Sequence, residues 1–109
     1  MIIEKFHPTS FDWNDVSIEK NNAETGFAIN RTKSAGNITV RYIEYSSNYI
    51  ADHWCEKGHI VFVISGELMI EHINGESHHL KKGMTFIIGD NTLEHKAKSE
   101  VGAKVLIVD

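Results

Sequence analysis

From Thr25 onward, apolar and polar residues alternate in short runs, and each run ends in turn-forming residues. The pattern predicts strands at "GFAINR" (26–31), "NITVRYIEYS" (37–46), "HIVFVIS" (59–65), "ELMIEHI" (67–73), "ESHHL" (76–80), "MTFIIG" (84–89), "EHKAKS" (94–99) and "AKVLIV" (103–108). Between them stand "SAGN", "SGE", "INGES", "KKGM", "IGDN" and "EVGA", all turn chemistry. Asn74-Gly75, between two alternating runs, is the strongest hairpin signal. Residues 1–24 differ: Asn14, Asp15, Asn21 and Asn22 are mixed with Phe6, Phe11 and Trp13, and no 3.6-residue apolar period persists. They predict an N-terminal arm with a short strand or turn, followed by one barrel domain over residues 25–109. Many short strands with almost no helical segment place the chain in the all-β class, as a small antiparallel jelly-roll barrel.

Alternation also describes the two faces of a strand. In "NITVRYIEY", Ile38, Val40, Tyr42 and Glu44 share one face, and Thr39, Arg41, Ile43 and Tyr45 the other. Neither face is cleanly polar, so the outer face of the barrel is expected to be covered, and a homodimer is the simplest cover. Tyr42, Tyr45, Phe62, Met69, Met84 and Phe86 read first as core and second as walls of an apolar pocket.

Composition narrows the function classes. The 109 residues carry eleven basic and fifteen acidic side chains, a net charge of −4, with the lysines dispersed. Phosphate-backbone binding therefore has little electrostatic support, and no nucleic-acid partner is expected. No apolar run approaches the roughly 20 residues that cross a bilayer, so no membrane partner is expected either. Glu4, Pro8 and Asp12 interrupt the N-terminus where a signal peptide needs an apolar stretch, and a cytoplasmic location is expected. The single cysteine, Cys55, excludes an intrachain disulfide.

The chemistry concentrates in "ADHWCEKGHIVFVISGE" (51–67). On an extended chain His53 and Cys55 point to one side and Trp54 to the other. A turn at Lys57-Gly58 can then return His59 beside them. Imidazole and thiolate suit zinc, copper, iron and nickel, and a closed site needs a fourth ligand from elsewhere. Cys55 is alternatively a small buried hydrophobe. Asp52 and Glu56 are acceptors that could orient a ligand histidine, or solvated residues at a strand end. His72, His78 and His79 belong to the "IEHINGESHHL" hairpin and read as solvated surface, as does His7.

These residues carry a family resemblance. The chain resembles a cupin, a double-stranded β-helix, and more narrowly the small single-domain cupins known for a DHCW-type motif. The first cupin motif, His-x-His with a Glu and a later Gly, maps onto His53, Cys55, His59 and Gly66. The second maps onto Gly83, the turn at Gly89–Asn91, and His95. The resemblance covers residues 37–109, about two-thirds of the chain, and the interval from position 59 to Gly66 matches the family's Glu-x6-Gly. Cys55 stands where the second His is usual and His59 where Glu is usual; the second motif has one extra residue before His95 and no proline.

Carried over residue by residue, the resemblance implies a metal held by His53, Cys55, His59 and His95. That donor set favours a divalent transition metal, zinc foremost, with nickel, copper or iron as alternatives. The implied function is a metal-binding barrel that takes a small-molecule ligand or substrate. A barrel that senses or holds a ligand without turnover, and a metal-free interaction module, are the alternatives. No phosphate loop, nucleophilic triad or cofactor fingerprint is present to name a reaction.

Overall fold

The alternating runs form antiparallel strands in the computed structural model, which describes residues 2–109. The elements are a 3-10 turn (Trp13–Asp15), β1 (Glu19–Asn22), β2 (Phe27–Ala35), β3 (Ile38–Tyr45), β4 (Tyr49–Ile50), β5 (His59–His72), β6 (Ser77–Lys81), β7 (Thr85–Ile88), β8 (His95–Ser99) and β9 (Ala103–Val108). Their spatial order is β1-β2-β3-β9-β5-β8-β4, with β7 and β6 on the opposite edge of β5. The sheet curls on itself as a jelly-roll barrel, and no helix among the described residues is long and apolar enough to cross a membrane.

The strand β5 joins the two halves. Where the sequence predicts a turn at Ser65-Gly66-Glu67, the chain continues as one strand of 14 residues. Its first half pairs with β9 and β7, its second with β8 and β6. The register against β9 shifts between Val63 and Ser65, a bulge with one extra residue. That residue flips the inward parity: Val61 and Val63 are buried before it, Leu68, Ile70 and His72 after it. Gly66 follows at φ +75°, and a Cβ there would collide with the Gly102 carbonyl, so the crossing needs glycine.

The core is built from the inward residues of the strands: Ile43, Val61, Val63, Leu68, Ile70, Leu80, Phe86, Val105 and Ile107, with Ala28 and Ala103 filling narrow places. Burial of each large side chain contributes roughly 1.5–3 kcal/mol. Of the six residues expected in the core, Phe86 is buried there and Tyr45 packs against it. Phe62 and Met84 are instead exposed, at 41% and 44%. Phe62 lies between the inward Val61 and Val63, so strand parity turns it out.

The arm lies along the barrel. The Asn37 side chain accepts from the Glu4 amide (2.9 Å) and donates to the Ile2 carbonyl (2.6 Å), tying the arm to the β2–β3 turn. Asp12 caps the 3-10 turn by accepting from the Asn14 amide, and Trp13 then packs between Phe11 and Tyr42. The chain next adds β1 to the edge of β2.

Candidate metal centre

Two loops position the chemistry. Cys55 pairs with His95 through the backbone, its amide donating to the His95 carbonyl (2.7 Å) and its carbonyl accepting from the His95 amide (3.0 Å). The following loop is pinned by the "GDN" turn: the Gly58 amide donates to Asp90 Oδ1 (2.6 Å) and the Asn91 amide to the Glu56 carbonyl (2.8 Å). Asn91 itself takes φ +53°, a conformation that asparagine tolerates. A Cβ at Gly58 would press on the backbone of Gly89 and Asp90, so the two loops meet only because position 58 has no side chain. The Lys57-Gly58 turn thereby returns His59 to Cys55.

One donor atom each from Cys55, His59 and His95 lies within 4.8 Å of the others. Cys55 Sγ is 3.6 Å from His59 Nε2, and the rings of His59 and His95 meet edge to face at 5.2 Å. Each imidazole has its other nitrogen engaged. His59 Nδ1 donates to Asp109 Oδ2 at 2.9 Å, and His95 Nδ1 makes a long 3.4 Å contact with the Leu93 carbonyl. A histidine held through Nδ1 turns its Nε2 toward the cluster, the arrangement of metal-bound imidazoles. Burial holds the His95 pKa below its usual value, with the neighbouring His59 and His72 adding to this and the Leu93 contact opposing it. The neutral form is the one that binds a cation. Donor types and orientation therefore fit a transition metal.

His53 stands apart from the three. Asp52 and His53 lie in a bend, not in the extended chain that would align His53 with Cys55. Its Nδ1 is 2.6 Å from Asp52 Oδ1, and its side chain is 78% exposed at the rim of the cavity. The bond from His53 holds the Asp52 carboxyl below its usual pKa. Of the acceptors weighed from sequence, Asp52 thus orients His53, while the one that orients a clustered imidazole is Asp109.

Asp109 and Arg41 carry no local motif. The Asp109 side chain is 4% exposed and takes Arg41 Nη1 at 2.6 Å and His59 Nδ1 on the same oxygen; Lys57 Nζ is 3.4 Å from the other. Burial pushes its pKa up, but the bonds from His59 and Arg41 and the charges of Arg41 and Lys57 more than offset this, so it stays ionised well into acid.

His72 corrects the sequence reading directly. It is buried, 5% exposed, with Nδ1 unpartnered, and it sits opposite His95 in the β5–β8 ladder among Phe86 and His78. The alternation Leu68, Ile70, His72 was the signal for this. His78 and His79 are exposed as expected.

The three donors open into a cavity of about 390 Å³ inside the barrel. Its apolar wall includes Ile43, Val61, Leu68, Ile70, Phe86 and Ile107, and Tyr45 and Tyr49 complete it. The size lies within the range of small-ligand sites.

This architecture is the cupin fold, and comparison with solved structures shows it independently. A cupin-2 domain protein from Shewanella frigidimarina superposes with TM-score 0.61 at 17% identity, over 82% of each chain. Ectoine synthase from P. lautus superposes with TM-score 0.73 at 17% identity, over 93% of this chain and 76% of its own. The Fe(II) form of HppE superposes with TM-score 0.75 at 11% identity; 93% of this chain matches, spanning 59% of that protein. No protein-family model matches the sequence, and no curated protein matches it.

Proposed function

We propose that this protein binds a divalent transition metal through Cys55, His59 and His95 and takes a small molecule into the adjoining cavity. The observation that carries the reading is the convergence of the three donor atoms, with His59 oriented from behind by Asp109. One thiolate and two imidazoles form a soft donor set, for which zinc stands first and nickel, copper and iron follow. His53, at the rim of the same cavity, is the candidate fourth ligand. Three protein ligands leave a position open, and a metal there supplies Lewis-acid polarisation of a ligand oxygen or an acidified water.

A second reading, a barrel that holds its ligand without turnover, is favoured by one observation. Asp109, the carboxylate behind the cluster, is tied to Arg41, Lys57 and His59, and no Asp or Glu among the described residues lines the cavity. A free carboxylate general base is therefore missing from the wall.

Elemental analysis of protein purified without affinity tag or chelator tests the proposal, alongside Cys55→Ala, His95→Ala and His53→Ala. Near-stoichiometric metal that falls in the first two variants supports it. Folded protein that takes up no metal even after reconstitution refutes it. Metal-dependent turnover of a bound compound then separates an enzyme from a holding barrel.

A further inference from the structure

The charged side chains that line the cavity run against the charge of the chain. The protein carries fifteen acidic residues to eleven basic. Yet the side chains lining the cavity include Arg41, Lys57 and Lys96, and none of the acidic residues. Asp109 lies behind the wall and meets two of these cations, through Arg41 Nη1 and Lys57 Nζ. Lys96 has a weaker counterion: the exposed Glu24 carboxylate is 4.0 Å away, and the ammonium also sits 4.9 Å over the Trp54 ring. Asp109, Glu24 and Asp52, which bonds the rim histidine His53, stand behind or beside these cations, so the asymmetry is one of position: the cations line the cavity and the carboxylates do not.

Arg41 adds directional chemistry. A guanidinium has five N–H donors, and the Asp109 contact engages Nη1. The remaining donors form a planar fork suited to a two-oxygen anion. Arg41 and Lys96, 29% and 21% exposed, act through a lower dielectric than groups on open surface and so select for sign, whereas Lys57, 55% exposed, contributes from the solvated mouth. The wall behind them, from Val61 through Ile70 to Phe86, suits hydrocarbon, not a second charge. A divalent ion held by one thiolate and two neutral imidazoles would add one further positive unit.

We propose that the ligand of this cavity is a small organic monoanion, a carboxylate with an aliphatic skeleton, whose charge is met by Arg41, Lys57 and Lys96. The inference rests on the reading of this cavity as the ligand site and names the class of molecule that site selects. Cationic amines are excluded by the same charges. Neutral isosteres lose the ion-pairing term and keep only the apolar one.

The test is a titration of the full-length isotope-labelled protein, metal-free and zinc-loaded, followed at the amides of Ala51, Ile70 and Ala97. The probes are 3-methylbutanoate, its uncharged amide 3-methylbutanamide, and inorganic phosphate. The carboxylate is expected to bind about tenfold or more tighter than the amide. Lys57→Met with Lys96→Met should remove most of that preference, weakening the carboxylate far more than the amide. Lys96→Glu, a single charge reversal in the partly buried lining, should weaken the carboxylate in the same direction. Equal affinity for carboxylate and amide, no carboxylate binding at millimolar concentration, or phosphate binding more tightly than the carboxylate overturns the proposal. Metal content measured on the same samples keeps the two readings distinct. Charge-selective binding without metal uptake would leave this inference standing and remove the metal centre; metal uptake without charge selection would do the reverse.

Discussion

Asp109 Oδ2 accepts from His59 Nδ1 at 2.9 Å, across 50 positions of sequence, and so fixes which nitrogen of His59 faces Cys55. The same oxygen takes Arg41 Nη1, so one buried carboxylate orients a candidate ligand and anchors a cavity cation. Asp109→Asn should weaken metal binding by about 10–100-fold, the usual cost of losing a partner that orients a ligand histidine. It should also cost about 1–3 kcal/mol of stability, because Arg41 and Lys57 lose their counterion. Competition against a chromophoric chelator reads the first effect and urea denaturation the second. Unchanged metal affinity in the folded variant would detach Asp109 from the site.

His72 lies one strand over from His95, buried and with Nδ1 unpartnered, yet outside the three-donor cluster. Replacing it with an apolar residue of similar reach removes an unsatisfied polar atom from the core. His72→Leu should therefore leave stability within about 1 kcal/mol of the parent, or raise it. Metal uptake should persist, whereas His95→Leu should abolish it. Loss of metal from the His72 variant would bring this residue into the ligand set.

The contrast between these residues shows what a sequence discloses. Strand runs and the all-β barrel were legible because alternation and turn residues are local signals; Cys55 and His59 drew notice through their spacing, and His95 through the family resemblance. His72 read as surface because Asn74-Gly75 beside it marks a solvated turn; recognising its burial required seeing that the bulge before Ser65 switches the inward parity of β5. Asp109 and Arg41 were invisible as a pair because 68 positions separate them and only barrel closure brings them together. His53 failed to join Cys55 because the two-residue period holds only in extended chain, and Asp52–His53 bends.

Gly66 and Gly75 both adopt positive φ, but only Gly66 is crowded, against the Gly102 carbonyl; nothing lies within 4 Å of a Cβ at Gly75. Gly75→Ala should cost about 1–2 kcal/mol, the left-handed backbone penalty alone. Gly66→Ala adds a collision between β5 and the chain entering β9, and should cost at least about 3 kcal/mol or prevent folding. Denaturation midpoints of the two variants, measured in parallel, decide this. Similar losses at both positions would mean that β5 can shift to relieve the contact.

Tyr45 ties the barrel to alkaline pH. Burial pushes its phenol pKa well above the ordinary range, the adjacent Tyr49 adds to the rise, and Arg41 opposes it. Tyr49 is shifted in the same direction, chiefly by burial and then by Asp52. A group whose pKa is higher folded than unfolded holds its proton more tightly in the native state. The stability it confers is complete below the unfolded value of about 10, and is lost as pH climbs from there toward the folded value. Each such group can remove at most about 1.4 kcal/mol per pH unit in that window. Urea denaturation between pH 8 and about pH 11 should show wild-type stability flat at first and then falling, with a shallower fall in Tyr45→Phe, where only the Tyr49 contribution remains. Ionisation of Tyr45, followed by phenolate absorbance, should accompany unfolding. Parallel pH profiles for the two proteins would show that the Tyr45 phenol ionises as readily in the barrel as in the unfolded chain.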